Sequence, residues 1–174
     1  MEMEMSRERL KNLKEALIAV IFDSMMGEMI KLKVRADKIT NSLIGKDISD
    51  KETQKALYEA VKVNEMFVNL MEDLKIAIEA KALRKEGSKD KIASEVANRV
   101  VKLKGVNDRL YLILPVKQLF EFDFRDRDNK KLLTIEGVTQ GNPFFLSYLH
   151  CREGDKVPCV LNGKVIMKTV EFRV

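Results

Sequence analysis

Apolar side chains recur at steps of three and four through the first part of the chain: Leu10, Leu13, Leu17, Ile21, Met25, Met29, Leu32, Ala36, Ile39 and Leu43. Such steps return a side chain to the same face of a 3.6-residue helix. They predict one helix from about Ser6 to about Leu43, roughly 55 Å long at 1.5 Å per residue. Ser6 can cap its start, and Gly45 breaks it. Ile18, Phe22, Met26 and Ile30 widen the apolar face early, and beyond Leu32 it narrows to a coiled-coil-like stripe. A second helix follows, capped by Ser49 or Asp50, with Glu52 placed as capping-box partner of Ser49. It runs to about Lys85 along Leu57, Val61, Asn64, Phe67, Leu70, Leu74, Ile78 and Leu83. Ala60, Val63, Met66 and Ile76 broaden that face. A short turn between two long helices makes them antiparallel neighbours, a hairpin with its tip near residues 44–51.

Glu86-Gly87-Ser88 breaks the pattern again. Ser88 can cap a third helix through Leu103, with Ile92, Val96, Val100 and Leu103 on one side and Gly105 ending it. After residue 105 the period shifts from 3.6 to 2, and all three prolines appear. Strands are expected over Arg109 to Leu114, Leu119 to Arg125, Lys131 to Val138, Val157 to Leu161 and Lys164 to Phe172. The last two flank Asn162-Gly163, a strong hairpin signal. Asn142 to Cys151 suggests a short helix with Pro143 at its first position. The expected fold is α+β, divided as a helical hairpin over 1–87, a connecting helix over 88–104 and an antiparallel-sheet domain over 105–174.

Composition narrows the class. At 174 residues and 45% apolar, the chain can build a core, and 34% charged residues call for long solvated helical faces. The net charge is only +5, a modest excess for a dedicated duplex-DNA binder. Two cysteines, Cys151 and Cys159, cannot make a disulfide framework and fit a reducing cytoplasm. No apolar run is long enough for a transmembrane helix, and the acidic start is unlike a secretory signal.

Four groups of residues could carry chemistry. Asp47, Asp50 and Glu52 crowd the hairpin tip, where carboxylates could hold Mg²⁺ if a partner completed the shell. The simpler role for them is capping and favouring the helix N-terminus. His150, Cys151 and Cys159 lack any zinc spacing. Asp123, Asp126 and Asp128 lack the glycine and closing glutamate of a calcium loop. Phe120, Phe122 and Phe124 alternate onto one strand face, which suits a core better than base stacking. Nothing in the chain spells a self-contained active site, so an enzyme in its own right is not expected.

Together, a long helical hairpin with an acidic tip and a small β-rich domain resemble the Gre-type transcript cleavage factors. Two stretches carry the resemblance. The family tip reads roughly Gly-Asp-Leu-Ser-Glu-Asn, and this chain has Gly45-Lys46-Asp47-Ile48-Ser49-Asp50-Lys51, with one residue inserted and Asp in place of Glu. In the second domain, Asn142-Pro143 and Gly154-Asp155-Lys156-Val157 fall in register with the family's Ser-Pro and Gly-Asp-x-Val elements, while His150-Cys151 stands where the family has Gly-Lys. The resemblance implies an FKBP-like second domain and an accessory factor for bacterial RNA polymerase. It implies that the tip enters the secondary channel, where Asp47 and Asp50 hold a Mg²⁺ shared with the polymerase beside the RNA 3′ end and modulate cleavage of backtracked RNA. It places partner contacts at Lys46, Ile48, Lys51 and Glu52 of the tip and at Pro143, Gly154 and Asp155. Two other readings compete. One is a non-catalytic helical-bundle protein that docks or self-associates through faces that include Phe22 and Phe67. The other is a single-strand nucleic-acid binder that uses the phenylalanine strand.

Overall fold

Two long helices open the chain in the computed structural model, which describes residues 5–85, 99–126 and 130–174. Helix α1 spans Arg7–Leu43 and α2 spans Lys51–Lys85. Six strands follow: β1 Arg99–Leu103, β2 Arg109–Ile113, β3 Glu121–Asp126, β4 Lys131–Val138, β5 Lys156–Leu161 and β6 Lys164–Arg173. A five-residue helix, α3, spans Phe145–Leu149 between β4 and β5. The α+β class expected from the sequence is what the chain adopts. It divides into two compact units, one of residues up to Ala19 with those from Ile76 on, the other of Val20–Lys75.

The second unit is the part of the helical hairpin that carries the turn. Leu32 of α1 packs with Val63 and Leu70 of α2, and Met25, Met29, Ala36, Ile39 and Phe67 close around them. Arg35 reaches Glu59 across the pair at 2.6 Å. Residues 35 and 59 stand equally far from the turn at Asp47, and residues 25–39 of α1 cluster with residues 63–70 of α2. The two helices are thus antiparallel.

The first unit is built on a sheet of strand order β3-β4-β2-β1-β6-β5. Four neighbouring pairs are antiparallel, but β2 and β4 run parallel, Arg109 opposite Thr134 through Ile113 opposite Val138. The sheet is therefore mixed, not purely antiparallel. From β2 the chain swings outward to β3 and returns by a hairpin into the slot beside β2. The expected third helix is corrected at its end: Arg99–Leu103 is a strand, paired with both β2 and β6. Val100, Val101 and Leu103 are all fully buried, Val100 and Val101 on opposite sides of the sheet ahead of a bulge at Lys102/Leu103. A run buried on both faces carries apolar residues at consecutive positions, which helical spacing also accommodates. The rest of that expected helix, and Asp128, lie outside the described residues.

One sheet face packs Val101, Tyr111, Ile113, Val138, Val157 and Cys159 against Tyr148 of α3. The short helix starts later than Pro143 suggested: residues 142–144 form an Asx turn, with the Phe144 N–H donating to Asn142 Oδ1 at 2.8 Å. Leu110, Leu112, Leu133 and Ile135 on alternate positions are buried as well. The start of α1 belongs to this unit: Arg9 pairs with Asp126 on β3, Arg7 pairs with Glu153, and the Arg7 guanidinium lies 5.8 Å from the Phe172 ring centre. Leu10 and Leu17 are fully buried. Lys102 is buried too, and its ammonium is held by Glu171 of β6.

Candidate functional site

Gly45 makes the tip. It sits at φ +75°, the left-handed conformation that ends helices at the position after the cap, and the Lys46 N–H returns to the Leu43 carbonyl at 3.1 Å. Asp47 then organises the turn. Its Oδ1 accepts from the Ser49 backbone N–H at 2.9 Å and from the Ser49 hydroxyl at 2.8 Å, an Asx turn that reverses the chain. The Asp50 N–H closes on the Asp47 carbonyl at 3.1 Å. Asp50 is the residue before α2, and its Oδ2 accepts the Thr53 hydroxyl at 3.2 Å. Asp50 thus holds the N-cap position through its backbone carbonyl, which accepts the first helical bond from the Gln54 N–H at 3.0 Å. The capping box expected of Ser49 and Glu52 does not form, because Ser49 is turned toward Asp47 and Glu52 lies 3.6 Å from Lys55. Gln54 secures the other side through the Ile48 carbonyl at 3.2 Å.

These contacts hold Asp47 as an anion. The Ser49 N–H first, and its hydroxyl second, keep the Asp47 carboxyl below the usual carboxylate range, only slightly opposed by desolvation. Every residue from Ile44 to Glu52 is exposed. Ile44 and Ile48 stand out, 74% and 73% exposed on a turn that buries neither. The sequence reading placed Ile48 at the tip and missed Ile44, whose signal was its position directly before the breaking glycine.

Asp47 and Asp50 each have one oxygen outside these contacts. Two carboxylates are an incomplete oxygen shell for Mg²⁺, which keeps several waters or takes further ligands from a partner. Among the described residues, no three His, Cys, Asp or Glu side chains gather as a metal set.

No family model, curated protein or solved structure matches this chain.

The other expected contact residues lie in the sheet unit and have local work there. Gly154, at φ +92°, sends its N–H to the Val170 carbonyl at 2.9 Å. Asp155 accepts from the Arg152 N–H at 2.8 Å, and its own carbonyl accepts from Val170 at 2.8 Å. Together they form the turn that launches β5. Pro143 lies in the Asx turn before α3. The cysteines are core residues: burial pushes both thiols up, for Cys151 against the pull of the Arg173 guanidinium. At the end of α3 the His150 N–H donates to the Leu146 carbonyl and the Cys151 N–H to the Tyr148 carbonyl, both at 3.4 Å. Phe120, Phe122 and Phe124 are half-buried, and Phe120 stacks with Phe122 at 6.3 Å. No helix among the described residues is long and apolar enough to cross a membrane.

Proposed function

We propose that the chain is a cytoplasmic accessory factor that binds RNA polymerase and acts through its hairpin tip, in the manner of the Gre-type factors it resembles. The observation that carries this reading is the tip itself. Asp47 and Asp50 are exposed at the end of a two-helix arm, in a turn already ordered by its own hydrogen bonds. Preorganisation matters because a loop that must be ordered on binding loses affinity to the entropy of ordering. Ile44 and Ile48 give the tip apolar contact area, while Lys46 and Lys51 supply positive charge for RNA phosphates near the 3′ end. Glu52 lies on the first turn of α2 beside them. The Asp47 and Asp50 carboxylates would hold a Mg²⁺ shared with polymerase carboxylates, and that ion supplies activation of water for phosphodiester hydrolysis. The chain's own part is to place two anionic oxygens and exclude bulk water from one side. The sheet unit, with its Pro143 and Gly154-Asp155 turns, supplies a second surface for the polymerase.

The test is a transcript-cleavage assay on stalled complexes of the host's polymerase. Asp47→Asn with Asp50→Asn should reduce stimulated cleavage by at least about tenfold, as expected for loss of groups that act on the transition state. Co-sedimentation with polymerase should persist. A double variant that stimulates as well as the parent excludes the carboxylate role.

A further inference from the structure

The β5–β6 hairpin outruns the rest of the sheet. β1 accompanies β6 only from Arg173 to Val170, and beyond that the Lys104 N–H reaches the Thr169 carbonyl at 2.8 Å. Gly105, at φ +77°, then turns the chain away. β5 stays paired with β6 as far as Leu161 opposite Lys164. Residues 164–168 of β6 therefore have a strand on one side only.

The direction of each backbone group on β6 follows from its two ends. Asn162 and Gly163, both at positive φ, form a two-residue turn, which makes Leu161 and Lys164 a hydrogen-bonded pair. Even-numbered residues of β6 thus bond toward β5, as Val170 does with Gly154 and Asp155. Odd-numbered residues point the other way, as Thr169 does toward Lys104. Val165 and Met167 consequently aim both N–H and C=O into the slot beyond β1, where no backbone group among the described residues meets them. The outer edge of β5 is closed by contrast. Pro158 has no N–H, and the Tyr148 hydroxyl donates to its carbonyl at 2.9 Å.

The side chains around the open edge select what fits it. Val165 and Met167 are 62% and 57% exposed, on the sheet face they share with Pro158 and Val160. Lys164 and Lys168 belong to the opposite face, two residues either side of Ile166. From Lys156 to Val170 the chain has three lysines and no Asp or Glu. A second copy adding antiparallel about Ile166 would set Lys164 opposite Lys168 twice, the like-charge arrangement by which native edges prevent self-pairing. A strand with carboxylates at those two positions, and apolar side chains opposite Val165 and Met167, meets complementary charge on one face and apolar surface on the other. That pattern reads the same in both directions, so either strand orientation satisfies it.

We propose that residues 164–168 of β6 bind an extended peptide segment by strand addition, with the pattern acidic, apolar, any residue, apolar, acidic. About 17 Å of extended chain fills the slot. The site lies within the sheet unit and does not depend on the polymerase reading.

The probe is the peptide acetyl-Glu-Val-Thr-Val-Glu-amide, with acetyl-Lys-Val-Thr-Val-Lys-amide as its charge-reversed twin. Amide NMR spectra of the full chain, titrated to about 2 mM peptide, should shift foremost at Val165 and Met167, with a dissociation constant of about 1 mM or below. The acidic peptide should bind at least about tenfold more tightly than its twin. Lys164→Glu with Lys168→Glu should reverse that order. Met167→Pro removes an outward N–H that the fold itself does not use, so it should abolish binding and leave the spectrum of the sheet dispersed. No shift at Val165 and Met167 overturns the proposal. So do equal binding of the two peptides by the parent chain, an order that survives the charge reversal in a folded variant, or a parent chain whose mass doubles without peptide, which would give the edge to a second copy.

Discussion

At the scale of single residues, Asp47 shows how a short polar side chain can do two jobs. One oxygen ties the turn through Ser49, and the other points outside those contacts. The hydrogen bonds favour the charged form, so the folded pKa lies below the ordinary value. Whatever the pairing adds to the order of the tip is therefore complete above the ordinary aspartate pKa of about 3.9 and fades as pH falls through the depressed value. Ser49→Ala removes the hydroxyl donor but keeps the backbone N–H, which is the larger cause. The Asp47 midpoint should then rise toward the ordinary value without reaching it. A carboxyl-carbon NMR titration of parent and variant measures the two midpoints, and equal midpoints would show that the hydroxyl does not hold the charge.

At the scale of elements, both long helices and all the strands expected after residue 105 were legible, the helices by apolar steps of three and four and the strands by short alternating or continuous apolar runs set off by turn residues. What failed to show in advance fails for stated reasons. Leu57, Val61, Asn64, Phe67, Leu70 and Leu74 look like one face, but they include three successive steps of three. Each such step turns the helix back by about 60°, so the series walks from an exposed face of α2 onto the face buried in the hairpin. Leu57 and Val61 are exposed while Leu70 and Leu74 are buried. Strand β1 was hidden because Val100 and Leu103 also continue the helix-like spacing of Ile92 and Val96 in the sequence, and the parallel β2–β4 pair depends on strand order, which no local pattern encodes. A contact within the sheet illustrates the same limit. Gly137 on β4 donates its N–H to the Phe120 carbonyl at 2.8 Å, and a Cβ there would stand 2.6 Å from the Phe120 ring. Gly137→Ala must therefore displace the ring from its stack with Phe122. Urea denaturation should show a loss of about 1–3 kcal/mol, the usual range for an overpacked site. An unchanged midpoint would mean that the ring yields freely.

At the scale of the whole molecule, the tip is separable from what holds the fold together. The hairpin is secured by Leu32, Val63, Leu70 and their neighbours, and by the Arg35–Glu59 pair, all outside residues 44–51. The sheet unit is secured by its own core and by the pairing of Lys102 with Glu171. Of the tip residues, Ile48 and Asp50 also hold α2, through the Gln54 amide on the Ile48 carbonyl and the Thr53 hydroxyl on Asp50 Oδ2, single hydrogen bonds worth about 1 kcal/mol each. Replacing residues 44–51 by a Gly-Ser turn of equal length should then leave helix content unchanged by circular dichroism and lower stability only slightly. The acidic tip was legible because its residues are contiguous; its isolation from the core is visible only once the packing is known. That isolation makes the replacement decisive for the proposed function. If the tip docks in polymerase, a tagged parent chain should recover the polymerase large subunits from host lysate, and the folded replacement should lose them. Equal recovery by both would locate binding elsewhere on the chain and leave the tip with its structural role of closing the hairpin.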